Sequence, residues 1–186
     1  MRLAHKVGVA DAAATAMALA VATSALAATA TVTGTLAPGT LSLTTVAAPT
    51  FSVTLDGTDQ TPTYTMPMTA TDSRGSGAGW NITITSTQFT TGGGSPNTLA
   101  TNASSVTGVT SVCAGGTCTN PTNTVTYSFT VPAGTTPPAA VKLFNAALLT
   151  GMGKFTVTPT VSVFIPASSF AGTYTSTITL AIVSGP

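Results

Sequence analysis

Apolar and hydroxyl-bearing residues alternate along this chain with a period of two, and that rhythm decides what it can fold into. Phe51, Val53 and Leu55 alternate with Ser52 and Thr54. Trp80, Ile82 and Ile84 alternate with Asn81 and Thr83. Val125, Tyr127, Phe129 and Val131 are interleaved with threonine and serine, and Ile178, Leu180 and Ile182 follow Thr177 and Thr179 in the same way. Successive side chains of a strand point to opposite faces, so this pattern gives half-buried strands with a greasy side and a threonine side. β-branched threonine also favours the extended backbone. Turn signals separate the runs: Ala37-Pro38-Gly39, Asp56-Gly57, the glycines of 75–79, Gly92-Gly93-Gly94, Gly115-Gly116, Pro137-Pro138 and Gly151-Met152-Gly153. Strands are predicted near 41–45, 51–55, 63–70, 80–87, 106–112, 124–131, 154–158, 160–165 and 173–183. The fold class is all-β, an antiparallel β-sandwich of Ig-like or Greek-key type. At most one short helix is expected, over 139–149, after two prolines and before Gly151; a loop with one helical turn is the competing reading. Segment 91–105, rich in Gly, Ser, Asn and Thr, reads as a long surface loop.

Residues 1–27 read as a secretory signal peptide. Arg2 and Lys6 give a positive start, residues 12–22 an apolar run broken by Thr15, and Ala25-Leu26-Ala27 a cleavage pattern, with a cut after Ala28 or Ala30 as the alternative. The run is too short to span a bilayer. Residues 28–186 then suit a single domain, long enough to bury a core. No second long apolar segment and no LPxTG-like sorting signal follow, so no membrane span and no covalent wall linkage are expected.

Charge limits the chemistry. Residues 28–186 contain no histidine and no glutamate, and their charged side chains are Asp56, Asp59, Asp72, Arg74, Lys142 and Lys154. General acid–base catalysis and nucleophile activation draw on the groups missing here, so no catalytic residue is assigned and no enzyme is expected. The charges balance, which argues against nucleic acid, whose phosphates need clustered Lys and Arg. Neutral polymers or copies of the chain itself suit such a surface better. Cys113 and Cys118 frame a four-residue loop and, in an exported protein, read as a disulfide. Two thiols without histidine cannot complete a zinc site, and no other metal or cofactor is expected. Asp56 and Asp59 could offer oxygen to calcium, but beside Gly57 they read as turn residues.

The most specific stretch is Thr71-Asp72-Ser73-Arg74-Gly75-Ser76-Gly77-Ala78-Gly79-Trp80-Asn81-Ile82, a glycine-rich turn running into a strand that starts on tryptophan. Asp72 and Arg74 can pair locally, and the glycines permit positive φ or close approach. Trp80 reads either as a core residue or as a platform for a sugar. This stretch resembles the WxL surface domain of Gram-positive bacteria, in which a D-x-R-G-x-G-x-G-W segment enters a W-x-L motif. The second half of the chain is similar too: Gly151-Met152-Gly153-Lys154-Phe155, then Pro166, Ala171-Gly172-Thr173-Tyr174 and Ile178-Thr179-Leu180-Ala181-Ile182 follow the order of the domain's C-terminal part. The departures are Ile82 in place of leucine, and Leu180 and Ile182 where the second motif has tryptophan and leucine.

The resemblance implies a secreted protein, extracellular or wall-associated, held non-covalently on the cell wall through peptidoglycan. It makes Asp72, Arg74, Trp80, Ile82, Leu180 and Ile182 the candidate ligand-binding set. Loops 71–79 and 91–105 are the expected contact loops, and a cell-wall glycan or another surface protein the expected partner. The alternative is a structural subunit of a surface layer or filament that associates with itself. Thr-rich strands with few charges leave sheet edges unguarded, and residues 28–40 could add to a neighbour's sheet.

Overall fold

A computed structural model describes residues 28–45 and 48–186; the export signal expected over 1–27 lies outside the described residues. Among the described residues, ten strands build the domain: β1 (Leu41–Thr45), β2 (Thr63–Thr65), β3 (Met68–Asp72), β4 (Trp80–Thr87), β5 (Ser104–Thr119), β6 (Phe129–Thr130), β7 (Ala133–Gly134), β8 (Val141–Ala146), β9 (Met152–Val163) and β10 (Ile178–Ser184). They form two sheets. In one, β9 is central, with β3 and β2 along one edge and β5 along the other; β1 extends the sheet beyond β3 and β6 beyond β5. In the other, β4 is central, flanked by β10 on one side and by β8 and β7 on the other. All pairs are antiparallel except the short β4–β7 contact.

The alternation seen in the sequence sorts these strands into inner and outer faces. On β4, Trp80, Ile82 and Ile84 are fully buried while Asn81 and Thr83 are partly exposed. On β9, Phe155, Val157, Val161 and Val163 point inward. The two central strands supply the middle of the core, and Trp80 meets Phe144 of its own sheet at 5.8 Å and Phe155 of the other at 6.5 Å between ring centroids. The all-β sandwich reading therefore holds.

Several local expectations do not: the strand near 63–70 is two, β2 and β3, parted at Met66-Pro67, and that over 173–183 starts only at Ile178. The helix over 139–149 is absent: its first half is β8, which pairs with β4 and buries Leu143, Phe144, Asn145 and Ala146. An apolar run beside a central strand gains more by completing a ladder than by helix propensity. The strand over 124–131 shrinks to Phe129–Thr130, because Asn123 and Thr124 reach β8 through side chains. Asn145 N–H donates to Asn123 Oδ1 at 3.0 Å, and Thr124 N–H to Asn145 Oδ1 at 2.9 Å. The strands at 154–158 and 160–165 are one, β9, running through Pro159. Pro159 sits at the break between β2 and β3, where no ladder bond asks for its missing N–H, and its carbonyl accepts from Met66 N–H at 3.1 Å. Segment 51–55 has strand periodicity but joins no sheet.

The disulfide is present, Cys113 to Cys118, with Cα atoms 5.9 Å apart. It staples an irregular stretch of β5: Cys113 stands opposite Phe155 and Thr119 opposite Met152, so β5 carries extra residues between them. No helix among the described residues is long and apolar enough to cross a membrane.

Candidate functional site

The two W-x-L-like segments lie side by side. β4 and β10 are adjacent and antiparallel, with Ile182 opposite Ile82, Leu180 opposite Ile84 and Ser184 opposite Trp80. The resemblance placed these residues in one set; the register puts the two motifs on adjacent strands, with their apolar side chains side by side on one face of the sheet.

Trp80 is 0% exposed. Its indole N–H donates to the Gly151 carbonyl at 2.8 Å, so the one polar atom of the side chain is satisfied inside the core. Gly151 has φ +70°, and a Cβ there would stand 2.7 Å from the indole nitrogen and 2.4 Å from the Ala146 Cβ. Only a hydrogen fits against the ring. Ile82 is fully buried, and Leu180 and Ile182 are half-buried over the same core. The core reading of Trp80 is the one the structure supports.

Asp72 and Arg74 fasten the loop in front of the tryptophan. Arg74 grips the carboxylate with both arms of its fork, Nε to Oδ1 at 2.9 Å and Nη2 to Oδ2 at 2.9 Å, while its backbone N–H adds a third bond to Oδ1 at 3.1 Å. A second Nη2 hydrogen reaches the Gly79 carbonyl at 2.8 Å, and one on Nη1 reaches the Ser184 hydroxyl. One cation thus joins the end of β3, the residue before Trp80 and the end of β10. Bidentate charge-assisted geometry makes this stronger than an ordinary surface pair. Arg74's hydrogen bonds hold the Asp72 carboxyl below its ordinary 3.8 despite burial.

That shift has a testable sign. The folded state binds fewer protons at Asp72 than the unfolded chain, so the pair's contribution is present above 3.8 and drains away as pH falls through the folded value. Asp72→Asn is expected to cost about 1–3 kcal/mol at neutral pH. It should also flatten the loss of stability between neutral pH and about pH 2, measured by urea unfolding at each pH. A variant as acid-sensitive as the parent would contradict this role.

Between Asp72 and Trp80 the glycines shape a tight loop that zips onto the turn after β8. Leu149 N–H donates to the Gly77 carbonyl at 2.7 Å, and at Gly79, with φ +68°, a Cβ would stand 2.5 Å from the Ala146 carbonyl oxygen. Leu149 itself has φ +62°, unusual for a bulky residue, and is 72% exposed beside Leu148 at 64%. Loops 73–79 and 147–151 therefore form one compact surface of glycine backbone, serine hydroxyls and two projecting leucines. The leucine turn was missed in the sequence because its apolar content reads as helix. The other expected contact loop, 91–105, is pinned by Leu99 and Ala103, which are buried, and ends in β5.

Asp56 serves its own turn, while Asp59 ties that segment to the distant residue Ala167. Asp56 Oδ1 accepts from Thr58 N–H at 2.9 Å and Gln60 Nε2 at 2.7 Å; Asp59 Oδ1 accepts from Ala167 N–H at 2.9 Å.

A second feature is a cleft of about 1210 Å³ between segment 48–55 and residues 169–180. Phe51 stacks on Tyr64 at 5.9 Å and meets Phe89 edge-on at 5.9 Å; Leu180, Ile178, Phe170 and Ile165 also line it. Burial pushes the Tyr64 phenol up to about 12.

A family profile described as "WxL domain surface cell wall-binding" matches residues 39–186. No curated protein and no solved structure matches the chain.

Proposed function

The chain belongs to the WxL domain surface cell wall-binding family, and from that membership we propose that it is a non-catalytic module, held without covalent linkage on the peptidoglycan of a Gram-positive wall. Association with the cell wall, at the cell surface, is the family's property; the ligand and the face that takes it are our reading. The observation that carries it is the Asp72–Arg74 node, which binds the ends of β3 and β10 to Gly79, together with the Leu149 N–H bond to the Gly77 carbonyl, which joins loops 73–79 and 147–151 into one surface. Neutral glycans are held by hydrogen bonds and apolar contact rather than by charge, and this surface offers both. In this reading Asp72, Arg74, Trp80, Ile82, Leu180 and Ile182 form the frame of the site, and the exposed backbone with Leu148 and Leu149 forms its contact. The absence of histidine and glutamate from 28–186 supports a role without turnover.

Co-sedimentation with isolated peptidoglycan tests it. The protein is expected in the pellet at low and moderate salt alike. Leu149→Gly separates contact from folding, because glycine suits φ +62° and relieves rather than adds strain. That variant should fold as well as the parent but bind about fivefold more weakly, equivalent to about 1 kcal/mol. No sedimentation of the parent would remove the glycan reading; undiminished binding by Leu149→Gly would remove this surface as the contact.

A further inference from the structure

The cleft has the marks of a place left for a strand. Segment 51–55 alternates as a strand should, yet among the described residues its backbone N–H and C=O groups make no hydrogen bond. Across the cleft, β10 pairs with β4 along one edge only. Just before it, Thr175 exchanges both bonds with Thr90, while the N–H groups of Tyr174 and Ser176, which alternate with it, have no partner among the described residues. Unpaired backbone on both banks leaves donors and acceptors free to pair with an incoming strand. Neither bank carries a charged residue, although charge is the usual guard of an open edge. The volume also exceeds the ~300–1,000 Å³ of ordinary small-molecule pockets.

The chain carries a segment of matching chemistry. Residues 28–36 read Ala-Thr-Ala-Thr-Val-Thr-Gly-Thr-Leu, small or apolar at every even position and threonine at every odd one. They have no regular secondary structure, and Val32 and Leu36 are each 93% exposed. Extended, these nine residues reach roughly 30 Å, enough to run the length of the bank formed by residues 173–180. Their even face suits the floor of Tyr64, Phe89, Ile178 and Leu180, and their odd face continues the threonine skin of β10. The uncharged cleft puts no electrostatic obstacle in the way.

We propose that residues 28–36 of one copy insert as an added strand into this cleft of a second copy, linking molecules head to tail. The geometry favours a neighbour's segment over the chain's own. Gly39 and Thr40 are held by Ser73 (Gly39 N–H to the Ser73 carbonyl at 2.9 Å, Thr40 N–H to Ser73 Oγ at 2.9 Å), at the end of the sandwich that carries Ser184. The cleft flanks the opposite end of β10. Ala37-Pro38-Gly39 would have to reverse the chain fully to lay its own segment there, whereas a neighbour's segment needs no such reversal. A head-to-tail contact does not close on itself, so it builds chains on the wall. The inference goes beyond wall binding and does not depend on it.

Sedimentation velocity of the secreted chain, without cell wall present, tests it. Species larger than a monomer should grow with concentration. Val32→Asp with Leu36→Asp, both on exposed positions outside the core, should weaken assembly by at least roughly tenfold. A synthetic peptide of residues 28–36 should bind that double variant and dissolve assemblies of the parent. A parent that stays monomeric at every concentration overturns the proposal, as it would if each segment filled its own cleft. A double variant that assembles like the parent, or a peptide that fails to bind it, overturns it equally. Because no peptidoglycan is present, failure here leaves the wall reading standing, and failure of the pull-down leaves this one standing.

Discussion

Trp80→Ala is expected to lose about 3–5 kcal/mol of stability, the usual cost of emptying a buried aromatic site. Domains of this kind have about 5–15 kcal/mol in total, so the variant should be marginal or unfolded at physiological temperature. The size of the effect follows from position. Trp80 is fully enclosed, it bridges the two sheets through Phe144 and Phe155, and its N–H satisfies the Gly151 carbonyl. Alanine would leave a cavity and an unpaired carbonyl together. Urea unfolding measures the loss. Trp80→Phe keeps most of the ring volume and should cost clearly less while still sedimenting with peptidoglycan. If Trp80→Phe instead folded normally and lost wall binding, the tryptophan would be a ligand contact and its place in the frame would be wrong.

Gly151→Ala should be comparably damaging, at about 2–6 kcal/mol. About 1–3 kcal/mol comes from placing a side chain at φ +70°, and a similar amount from overpacking against the indole and Ala146. A denaturation midpoint checks the sum, and a double variant checks the cause. With Trp80→Phe in the background, the nitrogen that the new methyl would strike is gone, so Gly151→Ala should cost measurably less there. Strict additivity would mean that backbone strain and the contact with Ala146, not the indole, account for the loss.

These two residues also mark what could be read from the sequence. The strand beginning at Trp80 was legible to the residue, because alternation there coincides with real burial on one face and a glycine turn stops it on the other side. The same signal at 51–55 was equally clear and misleading: periodicity says that a segment can pair, not that a partner is present. Segment 139–149 failed for the opposite reason. Its small and apolar residues suit a helix locally, and only the neighbouring edge of β4 makes the extended form better. The Asp72–Arg74 pair was visible from spacing alone. Its third and fourth partners, Gly79 and Ser184, were not, since Ser184 is brought in by the β4–β10 register. The same register puts the two motif segments side by side, which resemblance could suggest but spacing could not. The cleft left no trace in the sequence because distant segments form its two banks.

Trp80 is the one tryptophan in the chain, so its fluorescence reports on the frame directly. With isolated peptidoglycan added to saturation, emission from the folded protein should stay blue-shifted and resist quenching by iodide, as it should without the glycan. Emission that is already red and readily quenched, or that changes when the glycan binds, would put the ring at the surface and contradict a wall-binding face built around a buried tryptophan.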